Sequence, residues 1–326
     1  MRPISCLFNV EGKMEKIIEV ENLTKSYGKF KALDNLSLYV EKGKIFGLLG
    51  PNGSGKSTTI NCLLALLNYE KGTIKIFGKD LTPESYDIKA KIGVVFQDVA
   101  VFEELTVYEN INYFCGLYIN DKNTREQYIE DAIKLTGLEE FKKFRPKQLS
   151  GGLLRRLNIA CGIAHKPELI FSDEPTVAVD PQSRNAILEG IKKLNKAGAT
   201  IVYTTHYMEE VEQLCNRIVI IDKGKMIAAG TKEELKESIS MGEKITIELS
   251  QTTKSVMEQV KKLEDVIEVK QEDNTLFITY KKGDEHLEKL IDFMKENSIK
   301  YLKIFSELPS LNDVFLELTG KELRDN

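Results

Sequence analysis

Three clusters in this chain have the residue types and spacing for phosphate chemistry. The first is the run Gly50, Pro51, Asn52, Gly53, Ser54, Gly55, Lys56, Ser57 and Thr58. It follows the apolar stretch KIFGLL and precedes a helix expected from Lys56. Glycines at this spacing let backbone N–H groups approach the β- and γ-phosphate oxygens of a nucleotide. Lys56 brings a positive charge to those oxygens, and the Ser57 hydroxyl offers a ligand for Mg2+. The second cluster is ELIFSDEPT, an apolar run that ends in Asp173 and Glu174. At the C-terminal edge of a parallel sheet, Asp173 can hold the Mg2+ shell and Glu174 can polarise a water. The third is QLSGGLLRR, where Ser150, Gly151 and Gly152 open another expected helix. A turn of that kind also gathers anions. A triphosphate already wrapped by the first loop has little use for a second such turn from the same chain.

Two further polar residues close apolar runs. Gln97 ends KIGVVFQ, where it could touch Mg2+ or the attacking water, and His206 ends ATIVYTTH, where it could hydrogen-bond a γ-phosphate. Tyr27, in TKSYGKF, is an aromatic that could stack on an adenine ring.

These residues need a sheet to hold them. From Ile17 to about Ala229, short β-rich runs alternate with helical patterns over 56–67, 107–119, 124–136, 150–164 and 181–197. Apolar strands separated by helices predict a buried parallel sheet in an α/β domain. The strands before residue 45 have no helices between them and predict an antiparallel flank. After GTKEELKES the order becomes strand, helix, strand, strand, helix, strand, which is the ferredoxin-like plan, and a last helix starts near Ser310. The expected domains are 14–240 and 241–326, with residues 1–13 an upstream extension and Met14 a plausible start.

Composition sets the outer limits. The 326 residues are 42% hydrophobic and 29% charged with a net charge of -4, and no dense basic stripe predicts a nucleic-acid partner. No apolar run approaches the roughly 18 residues of a membrane span, and no signal peptide is visible. The five cysteines (Cys6, Cys62, Cys115, Cys161 and Cys215) have no C-x-x-C pair and read as reduced, buried thiols of a cytosolic protein.

Tyr27, GPNGSGKST, Gln97, LSGG, IFSDEPT, Asp180 and His206 occur in the order and spacing of ABC ATPase subunits, which residues 17–230 resemble. The resemblance implies a P-loop NTPase with a RecA-like core, an antiparallel β subdomain and a helical subdomain near 98–165. It implies ATP and Mg2+ as cofactors, with adenine on Tyr27 and triphosphate on the P-loop. Gln97 would contact water and metal, Glu174 would act as base, Asp180 would serve dimer communication, and His206 would meet the γ-phosphate. It further suggests a head-to-tail dimer, with itself or a homologous subunit, in which Ser150, Gly151 and Gly152 cover the partner's γ-phosphate.

The ending LPSLNDVFLELTGKELRD resembles export-type subunits with a C-terminal extension. The leading expectation is therefore the ATPase of a membrane exporter, on the cytoplasmic face of the membrane. It would dock on integral-membrane permease subunits through DVAVFEELTVYENINYFCGLYI. The alternatives are an importer subunit and a soluble ABC ATPase of DNA repair or translation. Against the latter, only about 90 residues separate P-loop from signature, without sustained heptads, and the chain carries one cassette. Three positions depart from the family pattern: Leu153 after SGG, Ser172 before Asp173, and the loop TVAVD ending at Asp180. None of them removes a phosphate or metal ligand.

Overall fold

The computed structural model describes residues 15–250 and 254–320. The expected extension over 1–13, the start at Met14 and Cys6 lie outside the described residues. The chain divides into two compact units, with the division between Ala229 and Gly230.

The first unit starts with β1 (Lys16–Tyr27) and β2 (Phe30–Glu41), paired antiparallel. After β3 (Ile45–Leu49) and α1 (Lys56–Leu63) come β4 (Lys71–Ile76) and β5 (Lys79–Asp80), which complete a sheet of order β2-β1-β4-β5. This is the expected antiparallel flank. Helix α1 is shorter than the 56–67 read from the sequence, and Ala65 beyond it takes a left-handed φ of 52°.

Next come α2 (Tyr86–Lys89), β6 (Ile92–Val95), α3 (Val107–Gly116), α4 (Lys122–Thr136) and α5 (Gly151–Ile163). The unit continues with β7 (Leu169–Asp173), α6 (Pro181–Lys196), β8 (Thr200–Thr205), α7 (Met208–Leu214), β9 (Arg217–Asp222) and β10 (Lys225–Gly230). Strands β9, β3, β8, β7 and β6 lie side by side in that order, all parallel. Every residue of β3, β7 and β8 is buried, as helices on both faces of a parallel sheet require.

Helices α3, α4 and α5 share a core of their own, built on Val107, Ile111, Ile129, Ile133, Leu157 and Ala160. Two glycines let α5 lie directly on β6. A Cβ on Gly162 would stand 2.4 Å from the Val94 carbonyl oxygen, and one on Gly93 2.5 Å from the Gly162 carbonyl oxygen.

The second unit holds α8 (Lys232–Ser238), β11 (Met241–Leu249), α9 (Lys254–Val260), β12 (Val266–Glu272), β13 (Thr275–Lys281), α10 (His286–Glu296), β14 (Tyr301–Glu307) and α11 (Leu311–Thr319). Its sheet has the order β12-β13-β11-β14 and is antiparallel throughout, the topology of the ferredoxin-like plan. Ile245, Ile247, Leu276, Ile278, Leu290 and Met294 form its core. The division at Gly230 precedes the expected boundary at residue 240 because α8 packs on α11. The Ser240 N–H and hydroxyl also donate to Glu317 at 2.7 and 2.9 Å.

Among the described residues, no helix is long and apolar enough to cross a membrane. Cys62, Cys115, Cys161 and Cys215 are free and buried, and burial pushes the Cys62 thiol up to about 11.

Candidate active site

Strand register brings the expected residues to one edge. Leu49 lies opposite Thr205, Asp173 opposite Thr204, and Val95 opposite Ser172. One or two residues further along these parallel strands, Gly50, His206, Glu174 and Gln97 leave the sheet side by side. That is the C-terminal edge, where open α/β sheets bind ligands.

The loop after β3 is built around a helix start with spare N–H groups. Gly53 and Gly55 have φ of 77° and 109°, a region that favours glycine. A Cβ on Gly50 would stand 2.3 Å from the Ile221 carbonyl oxygen, so the loop is closed from behind. Gly55 caps α1 without a side chain, and no acidic residue sits in the first turn. The positive end of the helix dipole is thus left for an anion.

Lys56 is only 4% exposed. Its Nζ donates to the carbonyl oxygens of Gly50 at 2.9 Å and Pro51 at 3.2 Å, and stands 3.1 Å from Glu174 Oε1. Among the described residues, the buried Ser54 Oγ finds no hydrogen-bond partner, an orphan donor inside the loop.

Thr204 ties the Asp173 carboxylate to the Glu174 backbone. Its hydroxyl donates to Asp173 Oδ1 and accepts from the Glu174 N–H at 3.0 Å. Glu174 has a left-handed φ of 45°, a costly backbone for a non-glycine residue, and a second bond from its N–H to the Thr204 carbonyl oxygen supports it. Its carboxylate is 5% exposed and bridges two partners: Lys56 on Oε1 and His206 Nδ1, 3.3 Å away, on Oε2.

A nucleoside triphosphate and Mg2+ fit these groups. The uncapped α1 turn, the orphan Ser54 hydroxyl and buried Lys56 suit phosphate oxygens. Ser57, Gln97 and Asp173 each carry an oxygen donor, of the kind Mg2+ takes. Among the described residues, no cluster of three His, Cys, Asp or Glu side chains offers a competing metal site.

The second glycine-led turn is assembled differently. Ser150 caps α5, its hydroxyl accepting from the Leu153 N–H at 3.3 Å. Gly151 is exposed, and a Cβ there would meet nothing within 4 Å. Gly152 is buried against the start of α6, where a Cβ would stand 2.0 Å from Ser183 Oγ and 3.1 Å from Asp180 Oδ2. Asp180 caps α6 by accepting from the Ser183 N–H at 2.9 Å, and bonds from Ser183 hold its carboxyl below the usual carboxylate range. Among the described residues, no hydrogen bond or ion pair joins Gly50–Thr58 to Ser150–Gly152.

Comparison with known proteins identifies this arrangement. Residues 33–177 match the family model described as ABC transporter, and residues 230–319 match the C-terminal domain of ATP-binding protein DrrA1-3-like. The chain is 39% identical over 313 residues to the linearmycin resistance ATP-binding protein LnrL of Bacillus subtilis (strain 168), covering 95% of this chain and 100% of that one. The chain belongs to the ABC transporter ATP-binding family.

It is also 35% identical to the Nod factor export ATP-binding protein I of Cupriavidus metallidurans, over 96% of this chain and 100% of the relative. A solved dimeric structure of a bacterial ABC transporter cassette superposes with a TM-score of 0.61 at 30% identity, covering 66% of this chain and 98% of that one. Like other cassettes of the family, the chain is an ATPase with the P-loop NTPase fold.

Not every expected residue meets the cluster around Lys56. Gln97 is exposed, and its place in this ABC cassette is set through its backbone. Arg155 of α5 donates to the Phe96 and Gln97 carbonyl oxygens at 3.1 and 2.6 Å, and Asn158 donates to Phe96 at 3.2 Å. Tyr27, at the end of β1, is 49% exposed with the Lys25 ammonium 5.3 Å from its ring centre. Arg155, Asn158 and Thr204 were not singled out in the sequence. Arg155 and Asn158, hydrophilic residues three apart in α5 beside the apolar Leu154, Leu157 and Ile159, are the signal for the first pair.

Proposed function

We propose that this chain is the ATP-hydrolysing subunit of an ABC exporter and works as a head-to-tail dimer on the cytoplasmic face of a membrane. The observation that carries the reading is the contrast between the two turns: the first has buried Lys56 and an uncapped helix start, while the second has a serine-capped start whose Ser150 and Gly151 are exposed. In the dimer, triphosphate lies on the first turn with adenine on Tyr27, and the partner's second turn covers the γ-phosphate.

Lys56 holds the β- and γ-phosphate oxygens, leaving its present contacts with the Gly50 and Pro51 carbonyl oxygens. Ser57, Gln97 and Asp173 would hold Mg2+, which when bound neutralises developing charge on the phosphates. Glu174 takes the proton of the attacking water, and His206 fixes the γ-phosphate beside it. Asp180, capping α6 under Gly152, links the second turn to the remainder of the chain.

Export is supported by relatives named for drug resistance and Nod factor export, which match through the C-terminal unit as well. That unit, with its own core, serves as an accessory or regulatory domain. The permease-facing surface is the segment around 98–120. There Phe102 and Tyr113 are exposed and meet edge to face, 4.8 Å between ring centres.

Co-expression with a membrane protein of about six apolar spans encoded beside this chain tests the transport reading. The chain is expected to move to the membrane fraction, and Phe102→Glu or Tyr113→Glu to release it. A chain that stays soluble beside every such partner contradicts the proposal.

A further inference from the structure

The network around Glu210 has no part in the scheme so far. Glu210 is a carboxylate in α7, only 2% exposed, and three elements converge on it. From β8, the Tyr203 and Thr205 hydroxyls donate to Oε2 at 2.8 and 2.9 Å. From α6, Arg184 Nε lies 3.6 Å from Oε1. A buried carboxylate is costly unless it is paired and hydrogen-bonded, and this one has both kinds of partner.

These partners flank His206 on both sides. Thr205, just before it, donates to Glu210 and accepts from the Tyr207 N–H at 3.0 Å. Tyr207, just after it, carries the Arg184 guanidinium over its ring at 4.5 Å and packs against the His206 ring, 4.1 Å between centres. Arg184 in turn sits one helical turn beyond Asp180, donating its N–H to the Asp180 carbonyl oxygen at 2.9 Å.

We infer that Glu210 is a positioning residue: with Arg184 it pins the His206 turn to α6, and so sets His206 against Glu174. The inference rests on the reading of His206 as a γ-phosphate contact. Misplacing such a group by about 1 Å can cost on the order of 10²-fold in rate.

The test is steady-state ATP hydrolysis by the purified full chain. Glu210→Ala is expected to lower kcat about 10- to 100-fold while KM for ATP stays within about twofold. Glu210→Gln, which keeps an acceptor for Tyr203 and Thr205, should recover most of that loss. In single turnover, Glu210→Ala added to His206→Ala should cost no more than about twofold beyond His206→Ala alone, since residues acting through one another are not additive.

An unchanged kcat in Glu210→Ala, or a loss repeated in full on the His206→Ala background, overturns the inference. If Glu210→Ala does not fold, Arg184→Met replaces it: a loss that disappears on the His206→Ala background supports the inference, and a loss repeated there in full overturns it. Full activity in His206→Ala alone removes the γ-phosphate reading and this inference with it. An inactive His206→Ala beside normal Glu210 variants removes the inference only.

Discussion

The two glycine-led helix starts of this cassette, Gly50–Thr58 and Ser150–Gly152, begin from the same physics and finish differently. Both expose N–H groups at the positive end of a helix. The first leaves its N–H groups uncapped, backs Gly50 against the Ile221 carbonyl and sets buried Lys56 beside the strained Glu174. The second uses its own serine as a cap, presses Gly152 onto α6 and turns Gly151 outward. A turn that binds with its own side chains keeps its helix start uncapped and a buried lysine beside it; a turn that completes another chain's site needs only an exposed face and an anchor behind it.

The largest effect expected on this contrast comes from the side of the first turn. Glu174→Gln keeps the shape of the side chain but removes proton acceptance, so hydrolysis should fall about 10²–10⁴-fold. ATP should still bind, and light scattering in ATP and Mg2+ should report a persistent dimer. Normal turnover, or a monomer at saturating ATP, would remove Glu174 from the role of base.

Substitution of adjacent glycines separates anchor from open face. Gly152→Ala drives a Cβ into Ser183 and should destabilise the first unit by about 1–3 kcal/mol. Gly151→Ala meets nothing and should leave stability unchanged or raise it by up to about 1 kcal/mol. Urea unfolding reads both. Equal costs at the two positions would mean that α6 does not support the turn.

Smaller effects distinguish the caps. Ser150→Ala should cost about 1 kcal/mol, with no pH dependence, because a hydroxyl cap does not titrate. Asp180 behaves otherwise. Its carboxyl is held low by Ser183, so its contribution is present above the unfolded value near 4 and is lost as pH falls through the lower folded value. The gap in thermal midpoint between the natural chain and Asp180→Asn should therefore narrow in acid. A gap of constant size would exclude Asp180 as a charged cap.

Much of this was legible before any coordinates. The parallel sheet follows from apolar runs separated by helices, and the C-terminal topology from one change of pattern after Ser238. Lys56, Asp173, Glu174 and His206 could be seen together because each ends or follows an apolar strand, and parallel register does the rest. What stayed hidden are side-chain bonds across elements distant in sequence. Thr204 joins Asp173 to Glu174, Arg155 holds the Gln97 backbone, and Ser183 underlies Gly152. The division at Gly230, ahead of the expected boundary at residue 240, goes with the bond between Ser240 and Glu317, a contact that no local pattern encodes.

The central claim is that Ser150–Gly152 acts on the ATP of the partner chain, and mixing two inactive proteins tests it most directly. Lys56→Ala disables the first turn, and Ser150→Arg blocks the second by bulk and charge. Mixed equally with exchange allowed, and with hybrid formation shown by a tag on each protein, about half of the dimers should be hybrids. In each hybrid one site carries both lesions and the other is intact, so about a quarter of all sites are rebuilt and hydrolysis returns. If both turns served one chain's ATP, every site would keep a lesion, and a mixture with proven hybrids would stay as inactive as either protein alone.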